Sequence, residues 1–419
     1  MVERVLVCTV GGSHQPIIQA IEQLAPCLTV FVCSTGKSSS VYIINGEGKV
    51  IKENQNDEKP SLPNIPTIVN INKEDYNIVS VPPDDLDEVF KILHSEIYDI
   101  QNSYPKAMLY ADYTGGTKTM TAGLILAALE HDIHLHLVKG ARTNLEKVSE
   151  GTQWAVPASV DWIKFYRTVQ NHLSSWNQYA YGQAVRGMES MNIPTDSKLQ
   201  EKFFKVKTLS QAFDAWDRFD HEKAKQLLSV YRSEVNPQYV PYFLILDVLC
   251  ADNNKATEPA CIYDLWLNAL RRASQGRYDD AVARIYRIIE WTAQWILWAQ
   301  CGVSTSDIPE DFIPPELDIR KNRQGKYQAP LYHSWQLVKY KTTGSMAEYI
   351  EEKGDDLLTF LELRNQSILA HGKEPITEQK WKKAKRWFDT HILPPFQKAL
   401  QEAGLKKVPP QLPSTYEWL

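Results

Sequence analysis

A short turn between an apolar run and a helical pattern carries the residues best suited to bind an anion. Ala107 to Ala111 has the composition of a buried strand, and Thr119 to Leu129 has helical spacing. Free backbone N–H groups at such a helix start attract negative charge, and glycines let the backbone approach a ligand closely. We therefore expect phosphate binding, rather than an ordinary strand-to-helix turn, at Thr114, Gly115, Gly116, Thr117 and Lys118.

Two common phosphate-binding loops do not match this turn. A Walker loop requires Gly-Lys-Ser/Thr, whereas Thr117 separates Gly116 from Lys118 here. The dinucleotide fingerprint G-x-G-x-x-G occurs neither here nor after the first predicted strand. The sequence therefore predicts a phosphorylated ligand that is held by a less common arrangement.

A second set of residues could move protons. Arg364, Asn365 and His371 lie in a predicted helix that Gly372 would cap. Seven residues advance a helix by about 700°, so Arg364 and His371 share a face and lie about 10.5 Å apart along the axis. A helix C-terminus favours a charged His, and a nearby Arg could neutralise a phosphate during phosphodiester cleavage. From these residues alone, however, a helix-stabilising His and a solvated Arg are the better explanation.

Three histidines raise the question of a metal site. His134 and His136 would share one face of a predicted strand, and His131 precedes that strand. No clear third ligand or carboxylate follows at a fixed spacing, so we expect no metal there.

These candidate residues require elements that position them. Alternating helices separate the predicted strands Arg4 to Val10, Leu28 to Cys33, Tyr76 to Val81, Ala107 to Ala111 and Ile133 to Val138. Such alternation predicts a doubly wound, Rossmann-like α/β domain with a parallel sheet. Ligands bind outside the carboxyl ends of the strands in these sheets. The turn at Gly11, Gly12 and Ser13 should therefore share one pocket with the turn at residues 114–118.

The rest of the sequence predicts an all-α half. Aromatic residues recur from about Trp162 onward, which indicates a helical connector. Residues 303–345 are rich in Pro, Gly, Lys and Arg and predict a loop, and Trp381 to Trp387 predicts a basic helical face. Arg277 to Trp298 predicts a long helix with a buried stripe at Ala281, Ile285, Ile288, Thr292 and Trp295.

Composition sets further bounds. The 419 residues suffice for two or three domains. No run of about 18 apolar residues and no signal peptide are recognisable, so we expect a cytoplasmic protein without a transmembrane helix. Six cysteines without a C-x-x-C pair predict free thiols and no structural zinc. The net charge of −5 is uneven, because residues 268–419 hold 22 Lys and Arg against 19 Asp and Glu.

Several motifs resemble those of one protein family. Arg364 and Asn365, followed after five residues by His371, resemble the R-x(4–6)-H motif of HEPN ribonucleases, and RYDDAVARIYRIIE resembles the first helix of such domains. VLVCTVGGSHQPI and ADYTGGTKTM resemble the two ligand-binding turns of CARF domains, the CRISPR-associated Rossmann fold. The order CARF, helical connector, HEPN is that of the ancillary ribonucleases of type III CRISPR systems. It implies domains at residues 1–158, 159–265 and 266–419.

The resemblance implies a homodimer that binds cyclic oligoadenylate across paired CARF domains, with tetra-adenylate favoured over hexa-adenylate. The ring would activate a metal-independent endoribonuclease that cuts single-stranded RNA in antiviral defence and needs no cofactor. Neither a membrane nor stable DNA binding is expected. Arg364 and His371 would be catalytic, with Asn365 in support. The ring pocket would be lined by Thr9, Gly11, Gly12, Ser13, Thr114, Gly115, Gly116, Thr117 and Lys118.

Two other functions remain open. The protein could be a cyclic-oligoadenylate sensor whose HEPN-like domain is mainly a dimerisation module. It could also be a ring nuclease that cleaves its ligand in the CARF pocket, alone or beside the ribonuclease. Metal-free RNA cleavage separates the ribonuclease from the sensor. Decay of the ring in a double variant of Arg364 and His371 would identify the ring nuclease.

Overall fold

A computed structural model describes residues 3–36, 39–46, 64–139, 142–143, 147–148, 154–232, 239–252, 255–354 and 374–416. The chain divides into two compact units, Met1–Phe165 and Tyr166–Leu419. The first is an α/β domain and the second is built of helices, which confirms the predicted fold class.

The first unit is organised around a β-sheet. The strands are β1 Arg4–Thr9, β2 Leu28–Ser34, β3 Tyr76–Val81, β4 Met108–Asp112, β5 His134–Lys139, β6 Arg142–Thr143, β7 Lys147–Val148 and β8 Trp154–Pro157. The main sheet has the order β3-β2-β1-β4-β5-β8, and β6 pairs with β7 in a separate ribbon. β1 to β5 are parallel to one another, whereas β8 pairs with β5 in the antiparallel direction.

Helices cover both faces of this sheet. They are α1 Gln15–Leu24, α2 Tyr42–Asn45, α3 Ile65–Val69, α4 Leu86–Ser103 and α5 Lys118–Glu130. On one face Val7 of β1 lies in a buried cluster with Leu93 of α4 and Leu124 of α5. On the other face Leu6 of β1 lies in a cluster with Ile17 of α1. The doubly wound architecture predicted from the alternating elements is therefore confirmed.

Local sequence explains where these helices begin. Asp85 caps α4, because its carboxylate accepts a hydrogen bond from the backbone N–H of Glu88 at 3.1 Å. The Thr117 hydroxyl caps α5 by accepting from the N–H of Met120 at 3.2 Å. Each such cap satisfies a donor that the helix cannot, and contributes about 1 kcal/mol to stability.

The second unit consists mainly of helices. Those from residue 161 onward are α6 Asp161–Leu173, α7 Tyr181–Glu189, α8 Ser197–Asp217, α9 His221–Ser229, α10 Val240–Leu249, α11 Thr257–Ser274, α12 Tyr278–Cys301, α13 Leu331–Lys341, α14 Glu378–Trp387 and α15 Leu393–Glu402. Residues 345–354 are also helical, and a π-helical turn, Phe388–Ile392, joins α14 to α15. The predicted domain boundaries after residues 158 and 265 stay predictions, and the second lies inside α11.

The long helix that the sequence predicts after Arg277 is confirmed as α12. All five residues of its predicted stripe are buried. The helix packs against α11 and ends at Gly302, whose φ of +66° is easily adopted only by glycine.

Some elements differ from the sequence-based expectation. The antiparallel strand β8 was not expected, because its four residues are too few to show a periodicity. The predicted loop at residues 303–345 is wrong in part, since it contains α13. Leu331, Trp335 and Val338 form the buried side of that helix.

Buried charges link α8, α9, α11 and the C-terminal segment. The Arg271 side chain is fully buried, and its Nε donates to Asp217 Oδ1 at 2.7 Å. Its Nη1 donates to Gln411 Oε1 at 2.8 Å, and its Nη2 lies 3.6 Å from Asp264 Oδ1. The second oxygen of Asp264 lies 3.0 Å from His221 Nε2. Removing one member would leave the other buried charges with less compensation.

The cysteines and the hydropathy of the helices limit other classes of site. All six cysteines are free, and Cys8 and Cys33 are buried in β1 and β2. Burial raises the pKa of Cys33 to about 12, so this thiol stays protonated at neutral pH. Among the described residues, no helix combines the length and the apolar character needed to cross a membrane.

Candidate functional site

The two glycine-rich turns lie side by side at the carboxyl edge of the sheet. β1 and β4 are adjacent and parallel, with Cys8 in register with Asp112. The first turn, residues 10–14, follows β1, and the second, residues 113–117, joins β4 to α5. The structure therefore brings the two predicted turns together, whereas their binding of a ligand stays a prediction.

Glycines are required where these turns touch. A Cβ atom on Gly11 would lie 2.7 Å from the backbone nitrogen of Gly116, and one on Gly115 would lie 2.5 Å from the Thr9 carbonyl oxygen. Gly116 also has a φ of +83°, a conformation that favours glycine. By contrast, a Cβ atom on Gly12 would meet nothing within 4 Å. Gly11, Gly115 and Gly116 thus allow contact between the turns, while Gly12 borders open space.

Threonine hydroxyls hold the second turn in place. Thr9 is fully buried, and its hydroxyl donates to the Gly115 carbonyl oxygen at 2.6 Å. The Thr121 hydroxyl of α5 donates to the same oxygen at 2.9 Å. The Thr117 hydroxyl donates to the Pro83 carbonyl oxygen at 2.7 Å. These side chains therefore fix the conformation of the turn and do not extend into solvent.

Three backbone donors in the second turn are unpaired within the described part of the chain. Within the described part of the chain, the N–H groups of Gly115, Gly116 and Thr117 donate to no protein acceptor. They lie directly before α5, whose dipole adds positive potential. Lys118, the first residue of α5, is exposed and forms no ion pair with any described residue. An anion at this point would find free N–H donors, a helix start and an ammonium group.

A buried acid–imidazole pair anchors the start of the second turn. Asp112 and His136 are nearly fully buried, with 3.2 Å between Asp112 Oδ2 and His136 Nδ1. Asp112 Oδ1 accepts from the Thr114 N–H at 2.9 Å, and the Thr114 hydroxyl accepts from the Val138 N–H at 2.8 Å. Asp112 belongs to β4, and His136 and Val138 belong to β5, so two neighbouring strands hold the turn in place.

The Cys8 thiol lies next to this pair. Burial, and to a smaller extent the Asp112 charge, raise the pKa of this thiol well above its usual value.

Sequence reasoning did not identify Asp112 and His136 as supports of the turn. Asp112 only marks the end of a strand in the sequence, and His136 suggests a metal ligand. The missing information is the register of β4 and β5, which places these two residues opposite each other. No group of three or more His, Cys, Asp or Glu side chains among the described residues could hold a metal ion.

The second set of predicted site residues, Arg364, Asn365 and His371, lies outside the described residues. The described chain resumes at Glu374. Two residues later, the Ile376 N–H donates to Asp279 Oδ2 of α12 at 2.9 Å. The chain that follows His371 is thus attached to the start of the long helix α12.

Two family models match the C-terminal part of the chain. The Csm6 6H domain matches residues 167–255, and the Csm6 HEPN domain matches residues 251–390. Together they span residues 167–390, more than half of the 419 residues. The HEPN match includes the positions of Arg364 and His371.

Solved structures are similar to the chain at low sequence identity. Enterococcus italicus Csm6 bound to cyclic hexa-2′-fluoro-hexa-dAMP is 13% identical, with a TM-score of 0.53, over 96% of this chain and 98% of that one. Can2 from Sulfobacillus thermosulfidooxidans in complex with cyclic tetra-adenylate is 12% identical over 55% of this chain and 69% of that one. Its TM-score of 0.25 is too low to support a shared fold. No curated protein matches the chain.

The similarity to E. italicus Csm6 supports the fold along nearly the whole chain. The two Csm6 domain matches add the identity of the helical half. The resemblance drawn from the two glycine-rich turns and the Arg-Asn-x5-His string is thereby confirmed. The chain belongs to the Csm6-type CARF–HEPN ancillary proteins of type III CRISPR systems.

Proposed function

We propose that this protein is a single-stranded RNA endonuclease that a cyclic oligoadenylate activates. One observation carries the proposal: two touching glycine-rich turns present free N–H donors in a chain that matches the Csm6 HEPN domain. Residues 1–158 bind the ring, residues 159–265 form the helical connector, and residues 266–419 cleave the RNA. The protein works in the cytoplasm as a homodimer, without a cofactor or stable DNA binding.

The ligand pocket suits repeated phosphates. One phosphate of the ring binds the N–H groups of Gly115 and Gly116 and the Lys118 ammonium. The exposed Gly12 and Ser13 at the first turn contact the adjacent part of the ring. A cyclic oligoadenylate repeats the same groups around its ring, so two copies of the pocket can bind one ring. Tetra-adenylate stays the predicted activator, and hexa-adenylate is the second ring to test, because E. italicus Csm6 binds a hexameric analogue.

The cleavage chemistry needs only the RNA and protein side chains. The ribose 2′-oxygen attacks the adjacent phosphorus while the bond to the 5′-oxygen of the next nucleotide breaks. A proton leaves the 2′-hydroxyl and another reaches the 5′-oxygen, and His371 moves protons in this exchange. Arg364 neutralises the charge that develops on the phosphate, with Asn365 in support. The products are a 2′,3′-cyclic phosphate and a 5′-hydroxyl.

A cleavage assay with the full-length protein tests this function. A fluorescent single-stranded RNA is incubated with cyclic tri-, tetra- or hexa-adenylate, with and without EDTA. We expect cleavage only with an activating ring, unchanged by EDTA, and 2′,3′-cyclic phosphate ends. A strict requirement for a divalent metal would contradict the mechanism. Ring binding without RNA cleavage would instead identify a sensor.

A further inference from the structure

One face of α14 carries an excess of positive charge. Within EQKWKKAKRW, five Lys and Arg residues accompany a single Glu. Trp381 and Ala384 form the buried side of this helix. Lys382, Lys383 and Arg386 are exposed on the opposite side, which extends over about 100° of the helix circumference. This exposed side is called the basic face below.

Two cations on the basic face have no carboxylate partner in the part of the chain that the structure describes. The paired cations of α14 are Lys380 with Glu374 at 3.8 Å, Lys382 with Glu378 at 2.7 Å and Lys385 with Asp389 at 2.5 Å. Lys383 and Arg386 pair with no carboxylate of the described residues. Their charges are therefore available to an anionic partner.

The geometry of the basic face fits a nucleic acid strand. Lys383 and Arg386 are neighbours on one face of the helix, about 4.5 Å apart along its axis, so their long side chains can contact the same phosphate or successive phosphates of a strand. Trp387, half-buried, lies beside Lys383 on the helix, with its ring centroid 6.2 Å from that of His391. Flat rings beside phosphate-binding cations allow bases to stack without sequence preference.

We propose that the basic face of α14 binds the phosphate backbone of the single-stranded RNA substrate. This inference rests on the proposed ribonuclease function. Charge favours RNA, because residues 268–419 carry a net charge of +3 while residues 1–267 carry −8. The helix also begins seven residues after His371, a segment that spans at most about 25 Å. A strand bound on the basic face is therefore within reach of the predicted catalytic residues.

The double variant Lys383→Ala/Arg386→Ala tests this surface in the full-length protein with its activating ring. KM for RNA should rise by about three- to twentyfold, because each exposed ionic contact contributes modestly. The slope of log affinity against log salt should become shallower by about 1.4, the value for two phosphate contacts on a single strand. kcat at saturating RNA and the half-activating ring concentration should stay unchanged, because neither depends on this face.

Two matched variants control for charge and for side-chain loss. Lys198→Ala/Lys202→Ala removes two exposed lysines one helical turn apart on α8, and KM for RNA should stay the same. Lys383→Arg/Arg386→Lys keeps both charges on the basic face and should preserve most of the affinity. A rise in KM that is as large in the α8 variant as in the α14 variant would overturn the proposal.

A binding measurement separates this inference from the proposed function. The Kd of an RNA with 2′-O-methyl riboses, which lacks the nucleophile, is measured by fluorescence anisotropy. If the wild type binds this RNA but cleaves no unmodified RNA in the presence of any ring, the ribonuclease function fails, and the Kd ratio between variants still decides the inference. Weaker binding only in Lys383→Ala/Arg386→Ala supports it. Equal Kd values, or no binding by the wild type, overturn it.

Discussion

At the residue scale, removal of the Lys118 side chain is the most direct test of ligand binding at the second glycine-rich turn. It is exposed at the first residue of α5 and has no protein partner among the described residues. One charge-assisted contact contributes roughly 1.5–3 kcal/mol, so Lys118→Ala should raise the half-activating ring concentration on the order of ten- to hundredfold. The fully activated rate should not change, because the mutation acts through ligand affinity. A titration of ring against cleavage rate measures both.

Lys106 offers a matched control for Lys118. It is also exposed, but it precedes β4 at the opposite end of the strand from the turn. Lys106→Ala should leave the midpoint of activation where it is. If Lys118→Ala lowered the plateau at an unchanged midpoint, Lys118 would act in signal transmission or folding instead of ligand binding.

A methyl group at Gly115 should disturb the site, whereas one at Gly12 should fit. The Gly115→Ala Cβ atom would overlap the Thr9 carbonyl oxygen, and backbone atoms cannot rotate away as a side chain can. We expect a loss of about 1–3 kcal/mol in the free energy of unfolding and weaker ring binding. Gly12→Ala should keep the thermal stability, because its Cβ atom would enter open space. Thermal melting and ring titration of both variants measure these effects. Equal stability of the two would contradict the close approach of the turns.

The sequence indicates the second glycine-rich turn better than the residues that support it. Glycine, threonine and lysine types directly after an apolar run indicate the turn through local chemistry alone. The contact of Gly11 with Gly116 and the pairing of Asp112 with His136 depend on which strands are neighbours and in which register. Neither property can be read from one segment of sequence.

At the element scale, the junction of α8 and α11 should depend on one buried arginine. Arg271→Met removes the cation that lies between Asp217 and Asp264 and leaves both carboxylates with less compensation. The free energy of unfolding of the second unit should fall by about 3–5 kcal/mol. Urea denaturation followed by tryptophan fluorescence measures the change.

Arg287→Met is the matched control for Arg271→Met. Arg287 is exposed on α12 and pairs with Glu290 at 2.7 Å, so its loss should cost about 0–1 kcal/mol. Similar shifts in the two denaturation midpoints would show that the buried network contributes no more than a surface pair.

Long periodic elements could be predicted from the sequence, and short or compositionally mixed ones could not. The buried stripe of α12 follows a helical period over several turns, which identifies it without tertiary information. α13 has a similar but shorter pattern, and the Pro, Gly, Lys and Arg of the surrounding segment favour a loop when composition is averaged. Arg271 illustrates a further limit, since a charged side chain is expected at the surface until its buried partners are known.

At the scale of the whole molecule, the part that is proposed to bind the ring and the part that is proposed to bind RNA differ in net charge. Residues 1–267 have a net charge of −8, so a cyclic oligoadenylate must be held by local donors such as the turn at 114–118. Residues 268–419, at +3, attract a long polyanion by general electrostatics. RNA binding should therefore depend on salt more strongly than ring binding does.

The proposed homodimer would connect these sites to catalysis, and His371→Ala tests that connection. On the helix that the sequence predicts, Arg364 and His371 would lie about 10.5 Å apart along the axis, which is long for one pair to act on one phosphate. A second copy of the chain could complete the site. The variant should lose RNA cleavage by about 10²–10⁴-fold, because a group that transfers protons is removed. Ring binding and dimerisation should persist, because a histidine at the end of the predicted helix contributes little to the fold.

Three measurements on the His371→Ala protein distinguish a catalytic from a structural role. Cleavage rate reports the chemistry, calorimetry reports ring affinity, and light scattering reports the mass of the particle. Loss of cleavage with an intact dimer and unchanged ring affinity fits proton transfer. Loss of the dimer together with cleavage would instead mean that His371 stabilises its helix, as a histidine before a capping glycine often does. In that case the assignment of Arg364 and His371 as the cleavage site would lose its main support.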